Sequence, residues 1–249
     1  MINGAVLFGR FAYPPNSLGY CGPTDPELLA GLVAEGSAAD RELRRTIETF
    51  AGAWPYLELI GGCRSLDPLD ARVIEAYWLG NELLDGIDTL VWGNSLDDRF
   101  RRRAGSDWDR IVQGLNAGGV PNHAFHVFCA YPWVGLLRSG AVEQAMTVLD
   151  NCRIRWGAVK GAVEDRLLVE SQPLVWDGKS LALGDPRIEH VRASIDTAES
   201  VSIGDDVALH WDYVCQRLAP GQLGSLQRMH STHLAIVIRH PTGLAARID

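Results

Sequence analysis

No run of apolar residues in this chain approaches the ~18–20 needed to span a bilayer, so no membrane partner is expected. The stretch from Met1 to Phe8 lacks a basic start followed by a long apolar core. Arg10 interrupts the one candidate, and no signal peptide is predicted. Positive charge is not concentrated: 23 Lys and Arg stand against 31 Asp and Glu, for a formal net charge of −8. The one basic run, Arg99 to Arg103, is flanked by Asp97, Asp98 and Asp107 and reads as a solvated helix end. A nucleic-acid partner is therefore excluded, since phosphate backbones call for a gathered positive face. Five cysteines without regular spacing make no disulfide framework, so a reduced, cytoplasmic protein is expected. There is no Gly-rich phosphate loop, no Gly-x-Ser-x-Gly elbow, no His-Glu-x-x-His motif and no internal repeat. What remains is 249 residues, 47% hydrophobic and 22% charged, the composition of an ordinary globular chain of one or two domains.

Residues 1–150 read as a mainly α-helical domain. Thr24-Asp25-Pro26-Glu27 is a helix start, followed by Leu28, Leu29, Leu32 and Val33 at helical spacing. Ser37 precedes a second helix, Asp67-Pro68 opens a third, Ser106 caps a fourth, and a fifth runs from about Gly140 to Leu149. The third carries Val73, Ile74, Tyr77, Trp78 and Leu84 on one apolar face. Tyr13-Pro14-Pro15-Asn16 and the segment from Asn116 to Asn122 are expected to be loops. After Asp150 the period drops to two: Cys152, Ile154 and Trp156 alternate with Arg153 and Arg155, as in a half-buried strand. Asp177-Gly178 between two short apolar runs predicts a hairpin, Val207 to Trp211 another strand, and Pro220 a terminal helix. The predicted class is α+β, with residues 151–249 forming a small β-barrel and a C-terminal helix.

Cys152 and His210 are the first metal candidates. A thiolate is a soft donor and a neutral imidazole a borderline one, a pair suited to iron, nickel, copper or zinc. His123, His126 and Cys129 form a second constellation spaced by three. Pro121, Pro132 and the aromatic residues among them favour an extended piece with packed rings, while a zinc or nickel site stays open. His230 and His233 neighbour each other on the terminal helix, two donors without a third. Cys21 sits in the Gly19 to Pro23 turn with nothing basic beside it to activate it. Asp67, Asp70 and Glu75 are read as a helix cap and a wet face rather than an acid–base pair. Trp156 and Trp211 flank the first candidates and, with Tyr213, are expected to wall the site or form a docking patch for a partner.

The stretch from Cys152 onward resembles the HypC/HupF family of hydrogenase-maturation chaperones. Cys152 with Gly157 and Val159 stands where that family opens, and Gly204, Asp205, Val207 and His210 match its Gly-Asp-x-Val-x-x-His block. Tyr213, Val214, Leu218 and the helix from Pro220 follow in the family's order, so the resemblance covers roughly residues 151 to 235. It implies a HypC-like barrel in which Cys152 and His210 hold, transiently, an iron centre bearing cyanide and carbonyl ligands. It also implies partners, namely the [NiFe]-hydrogenase large-subunit precursor and other maturation proteins, and a chaperone rather than an enzyme. The chain departs from the family in three respects. Cys152 lies mid-chain with no free amine, Trp156 replaces a proline, and the first 150 residues have no counterpart. The whole chain, including Gly19-Tyr20-Cys21-Gly22-Pro23, also resembles an actinobacterial family of unassigned activity found alongside hydrogenase genes. The alternatives are a metal-free interaction adaptor and a zinc- or nickel-dependent enzyme built on His123, His126 and Cys129.

Overall fold

A computed structural model of the chain describes residues 3–36, 40–104, 108–131, 137, 140–194 and 201–239. Its central helix is α1 (Gly4–Ser17), started by Asn3, whose side chain accepts from the Ala5 amide at 2.8 Å. Ala5, Leu7, Phe8, Phe11 and Ala12 are all buried, so α1 is covered nearly all round. The loop expected at Tyr13-Pro14-Pro15-Asn16 is instead the end of this helix.

Around α1 stand α2 (Pro26–Glu35), capped by Asp25, then α3 (Asp40–Glu48) and, further along, α5 (Ala71–Trp78); α4 (Trp54–Arg64) packs on α5. The start expected at Asp67-Pro68 falls later, because Asp70 is the residue that caps α5, through the Arg72 amide. Asp67 instead holds the Leu69 amide and pairs with Arg44 at 2.7 Å. Leu84 lies beyond α5, in a 3-10 turn, Glu82–Leu84. Helices α6 (Thr89–Ala104) and α7 (Trp108–Asn116) follow; the caps expected at Ser37 and Ser106 lie outside the described residues.

The extended piece expected around His123 is a helix. An α turn, His123–Phe125, runs on as a π turn, His126–Ala130, and the two are called α8. Asn122 decides this: its side-chain oxygen caps the turn by accepting from the Ala124 amide at 2.9 Å. Its Nδ2 donates to the carbonyls of Ala76 and Tyr77, each at 2.9 Å, tying α8 to the end of α5. Pro132, which also favoured an extended reading, lies outside the described residues.

Helix α9 (Val142–Cys152) takes in Cys152, which was expected in a strand. The strands are β1 (Arg155–Val163), β2 (Arg166–Ser171), β3 (Leu174–Trp176), β4 (Leu181–Leu183), β5 (Arg187–Ala193), β6 (Asp206–His210) and β7 (Tyr213–Arg217). Five close a barrel in the order β1-β2-β5-β7-β6, with β5–β7 as its parallel pair. The predicted Asp177-Gly178 hairpin is β3 with β4: the Asp177 carboxylate accepts from the Lys179 and Ser180 amides, and Gly178 takes φ +94°.

Val159, Val169, Val191, Val207, Leu209 and Val214 fill the barrel. Side chains alternate along a strand, so Ala208 and His210 of β6 and Cys215 of β7 face out of it. That outer face packs on α1 and joins one apolar cluster running through the helices and α10 (Pro220–Arg239). His210 therefore lies at the seam between barrel and helices. The architecture is α+β, with a closed barrel and a C-terminal helix. No helix among the described residues is long and apolar enough to cross a membrane.

Candidate metal centre

Three elements meet at the seam. Cys152 is the last residue of α9, His123 the first of α8, and His210 the last of β6. One donor atom from each lies within 4.8 Å of the other two, the one such group of three or more His, Cys, Asp or Glu found among the described residues. Cys152 and His210 thus converge, and His123 joins them from the second constellation.

The hydrogen bonds assign the imidazole tautomers. His210 Nδ1 lies 2.6 Å from the Phe11 carbonyl, which can only accept, so Nδ1 carries the proton and Nε2 the lone pair. His210 Nε2 is buried and makes no hydrogen bond, although the Cys152 backbone also lies near the ring. The free carbonyl on Phe11 is a product of the sequence. In an α-helix it would accept from the amide four residues on, but Pro15 stands there and has no N–H. Pro14 likewise frees the Arg10 carbonyl, which accepts from Ser194 Oγ at 2.9 Å. The diproline turns two helix carbonyls outward and binds the barrel with them.

His123 is more fully engaged. Its Nε2 donates to the Cys152 carbonyl at 2.8 Å, and its Nδ1 accepts from the Tyr77 hydroxyl at 3.2 Å. Cys152 Sγ and His210 Nε2 can bind an ion as they stand. Both His123 nitrogens are hydrogen-bonded, so His123 could add a third bond only by giving one of these partners up.

These groups line a cavity of about 100 Å³ together with Tyr20, Cys21, Phe50, Trp78, His126 and Tyr131. The Trp78 ring stands 4.6 Å from that of His123 and 5.6 Å from that of His210, forming an apolar wall. Burial pushes the Cys152 thiol well above its ordinary range, helped by Cys21 beside it. Burial lowers His123 to about 4, and lowers His126 to about 3 with His123 adding to the effect. His210 is held well below the ordinary imidazole range by the same desolvation. The metal-free site is therefore neutral, a protonated thiol facing uncharged imidazoles. A bound cation would displace the thiol proton and meet no competition for the ring nitrogen.

A clamp fixes the separation of Cys152 and His210. Arg153 and Arg155, expected on a wet strand face, are each 1% exposed. Arg155 donates to the Asp150 carbonyl and Asn151 side chain on the α9 end, and to the Trp211 carbonyl beside His210 at 2.7 Å. It also pairs with Glu189 at 3.1 Å, while Arg153 pairs with Asp150 at 2.9 Å. The Trp211 amide completes the link by donating to Asn151 O at 2.9 Å. An Arg155→Met chain should lose about 3 kcal/mol in urea denaturation, because its hydrogen bonds to Asp150, Asn151 and Trp211 go, while Glu189 keeps Arg187 and the Ser171 hydroxyl. A loss below about 1 kcal/mol would show that the clamp does not hold the seam.

The other expected residues are placed as follows. His126 lines the same cavity, with Nδ1 at 3.1 Å from Tyr56 Oη. Cys129 does not reach it: it faces Arg110, Gly114 and Phe128 in a separate small cavity, so His123, His126 and Cys129 do not converge. His233 uses both nitrogens, accepting from the Val120 amide and donating to Met229 O. His230 packs edge-on against Trp156 and Phe128, with its Nε2 3.4 Å from Arg153 Nη1. Trp211 is 7% exposed and stacks on Tyr20 at 4.4 Å, Tyr213 meets Tyr13 edge-on, and Trp156 is partly buried. These three rings pack within the molecule. Asp70 pairs with Arg72, and Glu75 accepts from Asn81.

Sequence reasoning missed Tyr77, Asn122, Arg155 and the Phe11 carbonyl as parts of the site. The one local signal was Pro14-Pro15 following an apolar stretch, which marks carbonyls without helical partners. A family model described as "Family of unknown function (DUF6390)" matches residues 1–242. No curated protein and no solved structure matches the chain.

Proposed function

The chain belongs to the DUF6390 family, and we propose that it is an accessory protein that holds a transition-metal centre through Cys152 and His210, with His123 as a third donor. One observation carries this reading: His210 presents a buried, unpartnered Nε2 in the same cluster as the Cys152 thiol, its tautomer set by the Phe11 carbonyl. An outer acceptor orienting the imidazole while its other nitrogen stays free is how ligating histidines are prepared. Sulfur with nitrogen suits soft and borderline ions such as iron, nickel or zinc. Two or three protein ligands leave positions open, as holding and handing over require. No turnover is needed, because the physical act is ligand exchange, in which Cys152 yields to thiolates of the recipient.

The finer reading rests on the resemblance carried by Cys152, Gly157, Gly204, Asp205, Val207 and His210. The barrel is HypC-like, the cargo is the iron centre with cyanide and carbonyl ligands, and the recipient is the [NiFe]-hydrogenase large-subunit precursor. Infrared spectroscopy of the chain purified anaerobically from cells making active hydrogenase tests both levels when paired with metal analysis. Cyanide and carbonyl stretching bands present in wild type and absent from Cys152→Ser are expected. Bound metal without those bands would remove the hydrogenase reading and leave the metal-holding one. Metal-free wild type would favour an adaptor that keeps the barrel without the ion, a reading already consistent with the two hydrogen bonds on His123.

A further inference from the structure

The cavity has a second thiol. Cys21 lines it from the loop between α1 and α2, together with the ends of α9 and β6. The loop is fixed at both flanks of this residue. Asn16 Nδ2 donates to the Cys21 and Pro23 carbonyls, each at 2.7 Å, and Tyr20 stacks on Trp211, the residue after His210. Gly22 takes φ +84° close against Phe50, a conformation and a space that suit no side chain. With its backbone anchored, the Cys21 side chain keeps the freedom of its own χ1, a choice among staggered wells. Its thiol is not in the tight group of His123, Cys152 and His210, yet it lines the same cavity as all three. His210, whose buried Nε2 has no hydrogen-bond partner, lines the same cavity.

We propose that Cys21 is the closing and exchangeable ligand of the metal site, completing a set of two sulfurs and two nitrogens with Cys152, His210 and His123. This rests on the metal-holding reading above and specifies its ligand class; four protein donors fit a bare ion, not the iron centre with cyanide and carbonyl ligands. Two thiolates with two imidazoles select a tetrahedral divalent ion of the zinc, cobalt or ferrous type. Each thiol gives its proton to solvent as its sulfur binds, so the two positive charges of the ion are balanced by two thiolates. Cys21 and Cys152 are both only partly buried, whereas His210 is 1% exposed, so an arriving ion meets a thiol before the ring. Release would begin with Cys21 leaving and opening one position to the recipient's thiolate.

The test uses the full chain and cobalt(II) alone as the probe, read by its sulfur-to-cobalt charge-transfer absorption. Wild type should give about twice the intensity per bound cobalt of Cys21→Ser, which should still bind the ion, because one of two thiolates is lost. Equal intensities in the two chains would overturn the proposal and leave the Cys152–His210 site standing. No charge-transfer band in wild type would remove the metal-holding reading and this one together. Alkylation read by mass spectrometry serves should the serine chain misfold. Saturating zinc should slow modification of wild-type Cys21 by at least about tenfold, and an unchanged rate would overturn the proposal.

Discussion

Cys152→Ser is expected to weaken cobalt or zinc binding by at least about 100-fold while leaving the chain folded. Loss of an outer hydrogen bond to a metal ligand alone costs about 10–100-fold in affinity, and here a ligand itself is lost. Serine keeps the size of the side chain but not its chemistry. Its hydroxyl is a hard donor that does not ionise near neutrality, so the ion loses both a soft partner and a compensating negative charge. His210 Nε2 then stands alone unless Tyr77 releases His123 Nδ1. The fold should tolerate the change because Cys152 ends α9, where its side chain faces the cavity rather than the filled interior of the barrel. A competition titration against a chelating dye measures the affinity, and circular dichroism reads the fold. A loss under about threefold with an unchanged spectrum would remove Cys152 from the ligand set.

Acidification should unfold this chain between about pH 6.5 and 4. Burial holds His123 and His233 at about 4 and His126 and His230 at about 3, with His210 depressed as well. In the unfolded chain each titrates near its ordinary value of about 6.5. Below that value the unfolded state binds protons that the folded state refuses, so stability falls as pH falls. Each group contributes about 1.4 kcal/mol per pH unit across its window. Five acting together outrun the ~5–15 kcal/mol stability of a typical domain within about two units. Urea titrations at pH 7, 6, 5 and 4 follow the loss. Native stability persisting at pH 4 would mean that these rings are not buried neutral.

The strands were legible because their signals are local. The Asp177-Gly178 turn and the alternation through Val207 and Leu209 need no distant partner to be read, and Pro220 marks its helix for the same reason. The Cys152–His210 pair was legible through a motif. What failed depends on long-range contacts. Arg153 and Arg155 look like a wet face until Asp150 and Glu189 are known to neutralise them in the interior. The segment from His123 to Ala130 carries β-favouring residues, yet Asn122 caps it and α5 anchors it, so tertiary context overrides propensity. Pro14-Pro15 reads as a loop because helices seldom hold two prolines. Here the lost amides fall at a helix end, where their carbonyl partners find Ser194 and His210 instead. Nothing near His123 in sequence announces that it meets Cys152.

The bond from His210 to Phe11 spans 199 residues of chain. At ~5–20 residues per second of synthesis, the helix carrying Phe11 leaves the ribosome about 10–40 s before the strand carrying His210 exists. During that interval α1 can already pack on α2, α3 and α5, but its Phe11 carbonyl waits for the imidazole. The three donors therefore cannot meet until the chain has been made as far as His210, whatever has already folded ahead of it.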